Sequence, residues 1–243
     1  MGIEQLRESV RVNDLTGYLL DRSGASLRSA GGRANIEGRA RDRRVSSGNQ
    51  VRKAAVLILL SEPGAGTLLA EPASLASSGV DVVLTERSAT LRSHPSQVAF
   101  PGGGLDPGER AIDAALREAN EEVGLNPALV KILGTLPPSQ VNASSFDVTA
   151  VVGTWEGNER LSVVDPGEVA SVHRVSIDEL AAPENRFSAT LPMGYRGPAF
   201  TADGLFIWGF TAHLLNDVLD LGGWAQPWDE YHEIEVPPRL WRS

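Results

Sequence analysis

From Gly103 to Leu125 the chain reads Gly-Gly-Leu-Asp-Pro-Gly-Glu-Arg-Ala-Ile-Asp-Ala-Ala-Leu-Arg-Glu-Ala-Asn-Glu-Glu-Val-Gly-Leu. At about 100° per residue, Ile112, Ala115, Leu116, Ala119 and Val123 fall on one face of a helix. The helix is expected from Glu109 to Val123, stopped by Gly124, a glycine of the kind that ends helices in a left-handed turn. Glu118, Glu121 and Glu122 gather on another, exposed face, because offsets of three and four bring helical side chains together. Three like charges there repel one another. They also stand near the C-terminal end of the helix, where its dipole disfavours anions. A local rule broken without structural gain tends to mark a functional site. A hard divalent cation resolves the conflict, since Mg²⁺ and Mn²⁺ take oxygen ligands and share them with substrate phosphates.

Working outward, apolar runs predict strands at Ala54 to Leu60, Val80 to Glu86 and Val98 to Phe100. Phe-Pro-Gly-Gly-Gly at 100–104 breaks the last of these. A loop over 61–79 is long enough to be an insertion or a flap. Beyond the acidic helix, strands are expected at 130–135, 148–155 and 170–175. A short helix at 177–182 and an irregular Pro/Gly-containing stretch to Gly204 follow, then a helix from Ile207 to Leu221. A further amphipathic helix is expected over 4–20. Short strands interleaved with two substantial helices imply an α/β class, helices packed on a mixed sheet.

Composition sets the outer bounds. With 22 Lys and Arg against 31 Asp and Glu, the net charge is −9, which argues against a nucleic-acid binder. There is no cysteine, so disulfides, thiolate nucleophiles and cysteine-type zinc sites are excluded. The first fifteen residues lack an apolar core flanked by positive charge, the pattern of a secretory signal. The run Ala54 to Leu60 is too short to span a bilayer. A cytoplasmic location and no membrane partner are therefore expected. Arg22 to Lys53 holds nine basic residues against Glu37 and Asp42. This is the composition of a solvated connection, with phosphate steering as the alternative.

The spacing of the acidic stretch resembles the signature of the Nudix hydrolases, G-x5-E-x7-R-E-U-x-E-E-x-G-U, with U aliphatic. Gly103, Glu109, Arg117, Glu118, Glu121, Glu122, Gly124 and Leu125 match it outright, and Ala119 is a small aliphatic. The resemblance implies a Nudix-type α/β/α sandwich with a mixed β-sheet and a catalytic loop–helix–loop. It also implies Mg²⁺ or Mn²⁺ as cofactor and hydrolysis of a nucleoside diphosphate linked to another moiety. Carried over by position, Glu118, Glu121 and Glu122 face the metal, with the Gly103 carbonyl a further ligand. Arg117 and Glu109 form a supporting ion pair. The general base is either Glu118 or Glu168, the latter in Asp-Pro-Gly-Glu-Val at 165–169. A pyrophosphate needs its charge neutralised and a water activated, and clustered carboxylates with a divalent metal supply both.

Upstream, Val83-Leu84-Thr85-Glu86-Arg87-Ser88, Arg92 and Phe100-Pro101-Gly102-Gly103 resemble the extension of the coenzyme A pyrophosphatase branch, roughly LLTxRSx3Rx3Gx3FPGG. Val83 replaces a leucine, and Ser96 stands where that pattern has glycine, which matters if the backbone there needs positive φ. The segments at 136–153, 167–180 and 206–219 resemble the same branch, so the likeness spans about 51–221. This divides the chain into an N-terminal helix and basic extension (1–50), a hydrolase domain (51–221) and a C-terminal tail (222–243). The implied reaction cuts coenzyme A or an acyl derivative to 3′,5′-ADP and a phosphopantetheine. Arg87 and Arg92 are expected on substrate phosphate, which guanidinium groups grip in a bidentate manner. Gly102 and Gly103 are expected beside them. His94 is expected to structure the loop, and Phe100 and Trp208 to lie in the core. The competing substrates are ADP-ribose, NADH or a damaged nucleotide. A rival of another class, a non-catalytic sensor, is disfavoured because no signature carboxylate is missing. The expected partner is a small nucleotide, with a homodimer the arrangement often met in the family.

Overall fold

The computed structural model describes residues 2–16, 52–61, 78–141, 146–158, 160–192 and 194–241. Most of the basic stretch 22–53 and of the 61–79 loop lies outside them.

Among the described residues four helices and twelve strands follow in chain order: α1 (Ile3–Thr16), β1 (Arg52–Ser61), β2 (Asp81–Arg87), β3 (Val98–Ala99), β4 (Gly102–Gly104) and α2 (Ala111–Val123). Then come β5 (Lys131–Thr135), β6 (Ser139–Val141), β7 (Phe146–Trp155), β8 (Val169–Ser176) and α3 (Ile177–Ala181). The last are β9 (Arg186–Thr190), β10 (Arg196–Ala202), β11 (Leu205–Ile207), α4 (Gly209–Gly222) and β12 (Glu233–Glu235). The main sheet runs β3-β2-β1-β7-β5, with β4 also on β1, β6 on β7 and β8 on β2. It is mixed, because β1 and β7 run parallel over their whole length while its other pairs are antiparallel.

Both faces of this sheet are covered, which explains why β1 is a continuous apolar run instead of an alternation. Ala55, Leu57 and Leu59 face α2, meeting Ala114, Ala115, Ala119 and Val123. Ile58 and Leu60 share the opposite core with Leu6 and Val10 of α1 and Leu214, Leu215, Val218 and Leu219 of α4. The layers are thus α2, sheet, and α1 with α4: an α/β/α sandwich. Phe100 is buried in the second core, as expected. Among the described residues no helix is long and apolar enough to cross a membrane.

Three sequence expectations need correction. The stretch between α3 and Gly204 is not irregular: it carries β9 and β10, which with β11 and β12 form a second sheet, β11-β10-β9-β12. Pro198 and Gly197 disguise β10, yet Pro198 still aligns with Ser188 of β9. Helix α4 starts at Gly209, two residues later than read, because 205–207 pair with β10. Trp208 accordingly precedes that helix and joins a separate small core with Phe187, Ala199, Val236 and Leu240. Helix α2 likewise begins at Ala111, with Arg110 still extended.

Candidate active site

The site is built where β4 lies against β1 and hands the chain to α2. Gly102 pairs with Val56 and Gly103 with Ala55, and a side chain on Gly102 would run into the Ala55 carbonyl and the Val56 backbone. The glycines are therefore required by close approach of two backbones and a carboxylate. The Glu118 carboxylate oxygens lie 2.6 Å from where a Cβ on Gly103 would stand. The Gly102 N–H donates to Glu122 Oε2 at 3.1 Å.

Arg117 organises the helix end. Its Nε and Nη2 donate to Glu109 Oε1 and Oε2, both at 2.9 Å, the paired geometry that guanidinium and carboxylate favour. Its Nη1 donates to Glu118 Oε1 at 2.9 Å and reaches Glu121 Oε2 at 3.4 Å, and Nη2 donates to the Gly104 carbonyl at 3.1 Å. Arg117 also holds the Glu109 carboxyl below its ordinary value, aided by the Asp106 N–H. At the other end Gly124, at φ 72°, closes α2 by donating to the Asn120 carbonyl at 3.0 Å.

The three signature glutamates do not share one exposed face, which corrects the sequence reading. Glu121 is exposed, Glu118 is largely covered, and Glu122 is only 4% exposed. The cause is the sheet: α2 leans on β4 and turns the last glutamate inward to the Gly102 amide. Burial pushes Glu122 up to about 7, with Glu118 and Glu168 adding to the rise and Arg87 opposing it. Burial also raises Glu118, against the pull of Arg117, and Glu121 and Glu168 push the same way.

Glu168 sits exposed in the turn before β8, its field felt by both buried glutamates. Its carbonyl accepts the Ser88 N–H at 2.8 Å, so the turn and the start of the 88–97 loop are tied together. Arg87 stands at the end of β2, acts on Glu122 by charge, and keeps a buried Nε with no hydrogen-bond partner among the described residues. Arg92 is exposed in the loop and makes no ion pair among the described residues. His94 is exposed too, and both it and Ser96 have φ 56°. The Ser96 position is therefore left-handed, as the glycine of the sequence pattern would suit.

Among the described residues no three acidic or imidazole groups converge tightly enough to bind one ion. The donor set still fits a hard cation. Two carboxylates that burial makes reluctant to ionise flank Gly102 and Gly103, with the exposed Glu121 carboxylate one turn from Glu118. A positive charge there would relieve both.

Residues 54–192 match the NUDIX domain family, more than half of the chain. The chain belongs to the Nudix family. It is a Nudix pyrophosphohydrolase, and enzymes of this family generally use divalent metal ions. The Pectobacterium atrosepticum protein described as uncharacterized Nudix hydrolase NudL is 36% identical over 174 residues, 70% of this chain and 82% of that one. Nudix hydrolase 3 of Caenorhabditis elegans is 45% identical over 102 residues, 41% of this chain and 42% of that one. Among solved structures, the Nudix hydrolase RenU of M. smegmatis aligns over 54% of this chain and 74% of its own, at 22% identity and a TM-score of 0.42.

Two contacts of this Nudix site carry no signal in the sequence. Gln97 Nε2 donates to the Leu240 carbonyl at 2.7 Å, and Thr211 Oγ1 to the Val98 carbonyl at 2.9 Å. Each joins residues more than a hundred positions apart, beyond any local pattern.

Proposed function

We propose that this Nudix hydrolase cuts the pyrophosphate of coenzyme A or a derivative, with Mg²⁺ or Mn²⁺, to give 3′,5′-ADP and (acyl-)phosphopantetheine. The observation that carries the reading is Arg87, a guanidinium whose charge bears on the buried Glu122 while its Nε has no hydrogen-bond partner among the described residues. A buried donor without a partner is costly, and a substrate phosphate between Arg87 and the glutamates satisfies it. The left-handed φ of Ser96 supports the same reading, because it is a conformation that the glycine of the coenzyme A-type pattern would suit.

When bound, the divalent cation neutralises the pyrophosphate and makes a water acidic. Glu118 and Glu122, with Glu121 and the Gly103 carbonyl, are the residues that would hold it. Arg117 keeps Glu118 aimed by donating to Oε1 and leaves Oε2 free of that bond. Glu168, exposed and under the field of the same glutamates, is the carboxylate available to take the water's proton as the oxygen attacks phosphorus. Arg87 holds a non-bridging phosphate oxygen, and Arg92 reaches the 3′-phosphate from the exposed loop. Gly102 and Gly103, whose missing side chains admit the β1 backbone and the Glu118 carboxylate, are the backbone expected beside the phosphate.

Hydrolysis of coenzyme A, dephospho-coenzyme A, ADP-ribose and NADH is compared with each metal, products being resolved by chromatography. Preferential release of 3′,5′-ADP from coenzyme A is the expected result. A preference for ADP-ribose or NADH keeps the Nudix site but discards the coenzyme A assignment and the roles of Arg87 and Arg92.

A further inference from the structure

We infer that the C-terminal segment belongs to the substrate-selecting apparatus, with Gln97 as the positioning residue through which the Leu240 carbonyl sets the course of the 88–97 loop. The inference rests on the coenzyme A reading for what the loop selects, but the tether itself stands on hydrogen bonds and packing.

The loop has a few internal hydrogen bonds, Leu91 N–H to the Ser88 carbonyl and Gln97 N–H to the His94 carbonyl among them, but its middle is open to solvent. Arg92, Ser93 and His94 are exposed. Two of its residues, His94 and Ser96, hold φ 56°, a conformation that side chains disfavour and that persists only where the surroundings impose it. Its base is a short ladder: the Arg87 N–H donates to the Gln97 carbonyl at 2.9 Å and the Ser96 N–H to the Arg87 carbonyl at 3.2 Å. Arg87 and Gln97 therefore move as a unit.

On the β8 side the Ser88 N–H donates to the Glu168 carbonyl at 2.8 Å and Arg87 pairs with Val169; on the β3 side two side-chain bonds link the base to residues beyond 208. Thr211 Oγ1, at the start of α4, donates to the Val98 carbonyl in a buried contact. Gln97 Nε2 donates to the Leu240 carbonyl at 2.7 Å. The acceptor end is rigid. Leu240 is 4% exposed and packs with Val236, Phe187, Ala189 and Ala199. β12 is hydrogen-bonded alongside β9, and Trp241 Nε1 donates to the Val236 carbonyl at 3.1 Å. A fixed carbonyl thus pins the side chain of Gln97, whose backbone shares a rung with Arg87 on the β3 side of β2. Losing the pin leaves the glutamates on α2 and the β8 pairing of Arg87 untouched, and frees the exposed loop that carries Arg92 to wander from the phosphate.

Gln97→Glu in the full-length protein keeps the side-chain size and removes the donor. It is compared with wild type, Arg92→Ala and the double variant on coenzyme A and dephospho-coenzyme A, scoring KM and kcat separately. Hydrogen exchange of the 88–97 amides is followed in parallel. Expected are faster exchange confined to 88–97 and 236–241, and a roughly tenfold loss of preference for coenzyme A carried by KM. The double variant should select no worse than Arg92→Ala, since two residues acting through one contact are not additive. Loosened exchange with wild-type selectivity overturns the inference, as does an equal fall of kcat on both substrates. Should wild type show no preference for coenzyme A, the substrate reading fails by itself. The tether is then decided by exchange and by KM for whichever nucleotide is cleaved: a rise in KM with faster exchange keeps it, and unchanged exchange overturns it.

Discussion

Glu168 and Glu122 are both acidic, but their settings divide the work between them. Glu122 is sealed against the Gly102 amide, whereas Glu168 lies on an exposed turn with no packing duty. Glu168→Gln should therefore lower kcat by about two to four orders of magnitude, the usual contribution of a general base, and leave the unfolding midpoint unchanged. A variant within a factor of two or three of wild type on the preferred nucleotide would hand the proton to Glu118 instead. Ser96 makes a separate claim at this scale. Its φ of 56° suits glycine, so Ser96→Gly should be tolerated. Ser96→Val puts a β-branched residue where L side chains are strained and should cost about 1–2 kcal/mol. Urea midpoints decide it, and a Val variant as stable as wild type would mean that the loop takes another course in solution.

Among the elements, α2 was legible in the sequence and the second sheet was not, for physical reasons. The apolar stripe of α2, its stop at Gly124 and the spacing of Glu109, Arg117 and the glutamates are local regularities, and the ion pair of Arg117 with Glu109 closes over eight residues. The inward turn of Glu122 was invisible because the amide that receives it lies on β4, brought there by pairing with β1. β10 was masked by Gly197 and Pro198. β12, the outer partner of β9, is only three residues long, too short for its Glu-Ile-Glu alternation to mark a strand, so only tertiary pairing reveals it. Helix α1 is a further case. It was read as part of an extension, yet Leu6 and Val10 are fully buried and Val10 fills the space a side chain on Gly134 would take. Leu6→Ala should cost about 2–5 kcal/mol, the range for an aliphatic side chain removed from a packed core. Chemical denaturation measures it, and a loss under about 0.5 kcal/mol, the level of ordinary surface changes, would show α1 undocked in solution.

For the molecule as a whole, the buried acids make stability depend on pH and metal together. Glu122 rises from an ordinary 4.5 to about 7 in the folded protein, so the native state holds this proton more tightly than the unfolded chain. The stability it contributes is complete below about pH 4.5 and is lost as pH climbs through 7. The ceiling is about 3 kcal/mol, from roughly 1.4 kcal/mol per pH unit of difference. Asp217, raised by burial to about 6, and Glu118 slope the same way, so wild type alone does not isolate Glu122. The comparison is wild type against Glu122→Gln in chelator at pH 5, 6, 7 and 8, by urea unfolding. Wild type should weaken across this range more steeply than the variant, which keeps a neutral side chain at the Gly102 amide. Adding Mn²⁺ at pH 8 should then stabilise wild type by about 2.7 kcal/mol at a hundredfold excess over Kd, and the variant by clearly less. Parallel slopes in chelator would remove Glu122 as the titrating group. Equal stabilisation by Mn²⁺ would remove it from the metal site, because a cation that favours the charged carboxylate must act through that carboxylate.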